Sequence, residues 1–114
     1  MNISVIIPYN YSEENLILVI NKICNQTKKP IEIIVVDSSN KNKDCSDELN
    51  QICVRFNIKL IYKKSAHAYP GKARNIGLSL ATSEILAFID VQTIPRQNWL
   101  EDSLKRLSET KADG

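Results

Sequence analysis

Apolar and polar positions along this chain fall into short blocks that switch between two periods. Ile3-Ser4-Val5-Ile6-Ile7 is an apolar run closed by Pro8 and reads as a buried strand. From residue 13 to about 25, Leu16, Val19, Ile20 and Ile23 recur at helical spacing, with Ser12 placed as the N-cap. Lys28-Lys29-Pro30 breaks the chain before a second strand at 31–36, and a polar loop follows over 38–43. Over 44–56, Cys45, Leu49, Ile52, Cys53 and Phe56 mark one face of an amphipathic helix that Asn57 ends. A third short strand covers 58–62. After a loop at 63–70, a helix over 71–80 places Ala73, Ile76, Gly77 and Leu80 on one face. A fourth strand is predicted at 85–89. Pro95 suits the first turn of a last helix, with Leu100, Leu104 and Leu107 as its stripe, before a polar tail from Glu109.

The order is β-α-β-α-β-α-β-α, which argues for a mostly parallel sheet with helices on both faces. Right-handed crossovers and a 3-2-1-4 strand order place a switch point between strands one and four. Ligands of open α/β sheets bind at the carboxyl edge beside such a point. The segments 8–11, 37–40 and 90–93 are therefore expected to converge. Asp37 and Asp90 each end an apolar run there, as strand-end carboxylates expected to be partly exposed. A cap or turn role is the structural alternative for both.

Composition narrows the possibilities. The 114 residues suffice for one core, 43% apolar and 25% charged, so the expectation is one domain over 1–114. A net charge of +2, with scattered basic residues, does not argue for a nucleic-acid surface. No apolar run approaches the ~20 residues needed to cross a bilayer. The start lacks the basic and long apolar segments of a signal peptide, so a cytoplasmic location is expected. Cys24, Cys45 and Cys53 lack metal-like spacing and read as buried, reduced thiols. His67, the single histidine, gives little support to a zinc site or a Ser-His-Asp triad and is expected on a surface loop.

With only three glycines, the chain holds neither GxGxxG nor GxxxxGK[ST]. The predicted edge offers instead two carboxylates, short polar groups and the cations Lys72 and Arg74. Carboxylates suit ribose hydroxyls, a base N–H or a hard divalent metal, and the cations suit phosphates. That set describes a nucleotide site in which a metal or basic side chains neutralise a diphosphate.

From Ser4 to Glu101 the chain resembles the N-terminal, donor-binding half of a family 2 glycosyltransferase with the GT-A fold. The resemblance rests on Ser4-Val5-Ile6-Ile7-Pro8, Asn25-Gln26-Thr27, Glu32 to Ser39, Ala73-Arg74-Asn75-Ile76-Gly77, Phe88-Ile89-Asp90, and Pro95 followed by Trp99-Leu100. It implies a nucleoside-diphosphate sugar, UDP first, as donor, and a polysaccharide or lipid-linked acceptor. Transfer would invert the anomeric centre, with the full-length protein at the inner face of a membrane. Pro8 and Tyr9 would line the base through backbone and ring, and Asp37 would accept from its N3–H. Ser39 would join the nucleotide site, Arg74 and Lys72 would face the phosphates, and Asp90 would open the Asp-x-Asp element for ribose, diphosphate and metal. Gln92 stands where that element usually ends in a metal-binding Asp, so a manganese or magnesium site would be weakened. Ser38 replaces the frequent second Asp after strand two, and the usual Tyr-Asn pair is shifted within Tyr9-Asn10-Tyr11. The acceptor half and its base are expected outside these residues. The donor half alone is expected to be inactive and to self-associate through its exposed apolar face. A non-catalytic nucleotide-sugar binding module and an interaction domain without nucleotide are the alternatives.

Overall fold

The structure, a computed structural model, describes residues 2–10, 12–39, 45–65 and 70–113, with the backbone alone at 70 and 108–113. Tyr11, residues 40–44 and His67 lie outside the described residues. Four strands and four helices alternate: β1 Ile3–Tyr9, α1 Glu13–Cys24, β2 Glu32–Asp37, α2 Ser46–Arg55, β3 Lys59–Lys64, α3 Pro70–Leu80, β4 Ile85–Phe88 and α4 Trp99–Asp113. The sheet is wholly parallel, in the order β3-β2-β1-β4. This is the expected 3-2-1-4 arrangement.

Strand parity divides the core. Ile3, Val5, Ile7, Ile33 and Val35 pack with Leu16, Val19, Ile20 and Ile23 of α1, Leu49 and Cys53 of α2 and Leu100 of α4. Ile6, Ile34 and Val36 turn to the other face and meet Ala73 of α3, with Ile61, Ile76 and Leu80 beside them. Both faces of β1 and β2 are thus covered, which is why their sequences run apolar without alternation. β3 is an edge strand, and its exposed Lys59, Lys63 and Lys64 fit the usual protection of such edges.

Helix boundaries follow local chemistry. Ser12 takes a left-handed conformation (φ 68°), and its Oγ accepts from Asn15 N at 3.4 Å, the predicted N-cap. Asn57, also left-handed (φ 61°), ends the turn after α2. Cys45 precedes α2 rather than lying within it, and all three cysteines are buried and free. Two boundaries depart from the sequence reading. α4 starts at Trp99, four residues beyond Pro95, and continues through the polar segment to Asp113. Gln26 accounts for the later start: its Nε2 donates to Arg96 O at 2.6 Å and its Oε1 accepts from Leu100 N at 3.0 Å. Thr27 adds a bond from its N to Gln97 O at 2.9 Å and one from Oγ1 to Glu101 Oε2 at 2.6 Å. Residues 96–98 are held as an irregular link, and a helix begun at Pro95 would spend those backbone groups internally.

The amino edge of the sheet is closed by a buried carboxylate. Glu32 Oε2 accepts from Ser4 Oγ at 2.6 Å, Thr82 N at 2.7 Å and Thr82 Oγ1 at 3.0 Å. Ser83 N donates to Ser4 Oγ at 3.2 Å. Burial by itself would push the Glu32 carboxyl up; the Ser4 and Thr82 bonds, helped by Lys59, outweigh it and hold it below the ordinary 4.5. A depressed folded-state pKa contributes stability that is fully present above the unfolded value and lost as pH falls through the folded one. Wild type should therefore lose stability below about pH 4.5 faster than Glu32→Gln in denaturant melts across pH 3–7. Equal slopes would remove Glu32 from the acid limb.

α3 approaches β1 closely because Gly77 faces Ile6, where an added Cβ would overlap Ile6 Cγ2. Gly77→Ala should destabilise the chain by about 1–3 kcal/mol in a urea melt, the scale of overpacking a filled core. A gain in stability, as the better helix propensity of Ala alone predicts, would show that Ile6 yields freely.

Candidate functional site

The cleft forms where the carboxyl ends of β1 and β4 diverge. β1 pairs with β2 through Tyr9↔Asp37 and with β4 through Ile6↔Phe88. Ile89 N donates to Ile6 O at 3.1 Å, and this last rung delivers Asp90 to the edge. Ser38 N donates to Tyr9 O at 2.8 Å, carrying the β1–β2 ladder one residue beyond β2. The close seat of α3 on Ile6 brings Ala73 and Arg74 to the same place.

The result is a cleft of about 160 Å³ lined by Pro8, Tyr9, Asn10, Ser38, Ala73, Arg74, Phe88, Ile89 and Asp90. Of the residues expected at a nucleotide site, Pro8, Tyr9, Arg74 and Asp90 come together here. Arg74 is exposed one turn into α3, and Asp90 is exposed just past β4; both line the cleft. Pro8 contributes a rigid, half-buried floor. Asn10 and Ser38 add neutral donors and acceptors to the lining. An anion bound in the cleft would meet Arg74, while hydroxyl or N–H groups would meet Asp90 and Ser38.

Four expected residues are placed differently. Asp37 is only 4% exposed, not partly exposed, because β2 runs one residue further than predicted and Asp37 is its last member. Its side chain shares the face of Val35, where Tyr62 Oη donates to Oδ2 at 2.5 Å and Ser39 N donates to Oδ1 at 2.9 Å. Burial, followed by the Asp37 bond, pushes the Tyr62 hydroxyl far up, so it stays a donor. Ser39 does not line the cleft, and its buried Oγ finds no partner among the described residues. Lys72 is exposed on α3 outside the lining. Gln92 is separated from the lining by a turn: Gln92 N donates to Asp90 Oδ1 at 3.0 Å and Thr93 N to Asp90 O at 3.0 Å. The extended backbone that would set residues 90 and 92 side by side is absent.

Tyr9 also departs from expectation in part. It touches the cleft, but at 3% exposure its ring belongs to the core. Burial, then the nearby Cys45, Asp37 and Glu13, pushes its hydroxyl up to about 12. Asn10 and Ser38 also line the cleft; both lie in the segments 8–11 and 37–40 expected to converge, although neither is singled out there as a nucleotide-binding residue.

A second, more open cleft of about 170 Å³ shares Phe88, Ile89 and Asp90 with the first and is completed by Thr93, Pro95 and Trp99. Trp99 also packs against the larger core cluster.

A profile of glycosyl transferase family 2 matches residues 4–114. The chain belongs to this family. Glycosyltransferase AglE of Haloferax volcanii is 32% identical over 115 residues, covering 97% of this chain and 37% of the relative. The poly(ribitol-phosphate) beta-N-acetylglucosaminyltransferase TarS of Staphylococcus aureus is 30% identical over 120 residues, covering 99% of this chain and 20% of the relative. The crystal structure of S. aureus TarS 1–349 in complex with UDP superposes with a TM-score of 0.77 at 25% identity, over 96% of this chain and 32% of that one. Its complex with UDP-GlcNAc gives 0.74 at 26%, with the same coverage. The sheet is thus the GT-A type, and the family 2 chain spans about a third or less of the length of these relatives.

No helix among the described residues is long and apolar enough to cross a membrane. No group of three or more His, Cys, Asp or Glu able to hold a metal occurs among the described residues.

Proposed function

We propose that this chain binds the nucleoside diphosphate of a sugar donor, UDP first, in the cleft between β1, β4 and α3. The observation that carries the reading is that Arg74 and Asp90 line one cleft at the carboxyl edge of a GT-A sheet. TarS, a structural neighbour, is known in complexes with UDP and UDP-GlcNAc, which supports a uridine donor. Arg74 would bind the diphosphate through its guanidinium, and Asp90 would accept from ribose hydroxyls. Pro8, Asn10 and Ser38 would meet the base. Asp37 would act beneath the cleft, holding the turn that carries Ser38, and Lys72 would add only long-range attraction.

A divalent metal fits one carboxylate better than a protein cage. Magnesium and manganese sites with nucleotides take one or two carboxylates, with phosphate oxygens and water completing the shell. Asp90 would hold the ion; its Oδ1 already accepts from the turn, but a carboxylate has lone pairs to spare. Such an ion stabilises the leaving diphosphate when bound. Gln92, outside the lining, would not share it.

Within the full-length protein, the proposed reaction is transfer of the sugar to an acceptor hydroxyl in cell-surface polysaccharide or glycolipid synthesis, with inversion, on the inner side of a membrane. The base for the acceptor would come from the length of the relatives that this chain does not span. This donor half would then bind without turning over, and would self-associate along the edge strand β4, where Phe88 is exposed.

Calorimetric titration with UDP, GDP and dTDP, with and without manganese, tests the reading. UDP should bind, and Arg74→Ala should weaken it by about 1–3 kcal/mol, the scale of a lost charged hydrogen bond. Asp90→Asn should abolish the manganese-dependent increment and also weaken metal-free binding, since the ribose hydroxyls would lose their charged acceptor. No heat with any nucleotide would leave the interaction-domain alternative standing.

A further inference from the structure

Tyr62 lies on β3, two strands from the cleft, and the nucleotide reading gives it no part. Its register partner on β2 is Val35, so Asp37 is its diagonal neighbour on the same face. Tyr62 Oη spans that diagonal and donates to Asp37 Oδ2 at 2.5 Å. A phenol has one proton. With that proton given to Asp37, the 3.4 Å contact between Cys45 Sγ and Tyr62 Oη must run from the thiol to the phenol oxygen. The chain of donors is therefore fixed in direction: Cys45 Sγ–H to Tyr62 Oη–H to Asp37 Oδ2. Burial pushes the Cys45 thiol up, so it keeps the proton it donates.

The other oxygen of Asp37 faces the loop. Oδ1 accepts from Ser39 N at 2.9 Å, and Asp37 O accepts from Ser65 N at 2.8 Å. Between these anchors sits Ser38, whose N and Oγ both reach Tyr9 O, at 2.8 and 3.3 Å. Ser38 is the residue of this turn that lines the cleft. A carboxylate as buried as Asp37 cannot leave an oxygen without a donor at small cost. If Tyr62 lost its hydroxyl, Oδ2 would turn toward water or another donor. Oδ1 would move with it, since the two oxygens are one rigid group, and Ser39 N would lose its acceptor.

We propose that Tyr62 is a positioning residue for nucleotide binding, acting through Asp37 to fix the turn that presents Ser38 to the cleft. The inference rests on the nucleotide reading of that cleft. Cys45 completes the device as the donor to Tyr62. The group touching ligand is Ser38; Tyr62 and Cys45 touch none.

The experiment is titration of the chain with UDP and CDP, alongside thermal melts. Tyr62→Phe should weaken UDP binding about tenfold, the scale of one hydrogen bond to a charged group, and narrow the preference for UDP over CDP. A purely structural loss would lower the melting temperature and leave that preference unchanged in the folded fraction. Cys45→Ser keeps a donor and should retain wild-type affinity and preference, whereas Cys45→Ala should shift both in the direction of Tyr62→Phe. This pair decides the matter if Tyr62→Phe does not fold. A folded Tyr62→Phe, or Cys45→Ala, with wild-type affinity and preference overturns the positioning role and leaves the nucleotide reading intact. Absence of UDP binding by wild type overturns the nucleotide reading, and the inference with it.

Discussion

The buried carboxylate of Glu32 fixes the register on which the cleft depends. Side chains of a strand alternate faces, so a slip of one residue between β1 and β2 would turn every one of them over. Glu32 would then enter the apolar face packed by α1, α2 and α4, where an unpaired charge is expensive. In the observed register it meets the Ser4 hydroxyl beside it and the Thr82 backbone and hydroxyl from the α3–β4 link. Three segments distant in sequence converge on one oxygen atom. The same register sets Tyr9 against Asp37 and brings Ser38 to Tyr9 O at the opposite end of the sheet. The two ends of β2 are thus closed by two carboxylates with separate duties, one locking the frame and one shaping the site.

The position of α3 adds the cation. Gly77 lets the helix settle onto Ile6, and Ala73, one turn earlier, is small enough to continue that close approach. Arg74 follows Ala73 and lines the cleft, whereas Lys72 is exposed outside the lining. Lys72 and Arg74 are two residues apart, about 200° around a helix, which is enough to separate a cleft-facing cation from a solvated one. The sequence contrast between small buried residues and a flanking Arg therefore has a geometric meaning. The small residues hold the helix close, and their neighbour inherits the wall of the cleft.

Most of the frame was legible from periodicity. Apolar runs without alternation marked β1 and β2 as buried on both faces, and the alternation of strands with helical stripes led to the parallel order. The shortfall came where polar side chains override local preference. Gln26 and Thr27 hold residues 96–98 out of helix, and no local rule at Pro95 reveals a clasp reaching across some seventy residues. The site was legible in its edge and in half of its residues. Pro8, Tyr9, Arg74 and Asp90 line the cleft, though the Tyr9 ring serves the core. Asp37, Ser39, Lys72 and Gln92 lie outside its lining: strand parity draws Asp37 inward, Ser39 and Gln92 donate to the carboxylates two residues before them, and Lys72 sits two residues before Arg74 on α3.

Asp37 and Asp90 show why that distinction matters. Both follow apolar runs and look alike in sequence. Asp37 still belongs to its strand, so parity places it on the helix-covered face, where Tyr62 and Ser39 engage both of its oxygens. Asp90 lies two residues beyond the end of β4, after Ile89 has made the last bond to β1. Its backbone is released from strand parity into a turn, and that turn engages one carboxylate oxygen while leaving the group at the surface. A carboxylate within a strand is thus drawn into the protein's own hydrogen bonding. A carboxylate just past the strand remains available to a ligand. For a sheet of this type, the number of residues between the last ladder bond and the acid is therefore a better guide to ligand contact than the acid's place after an apolar run.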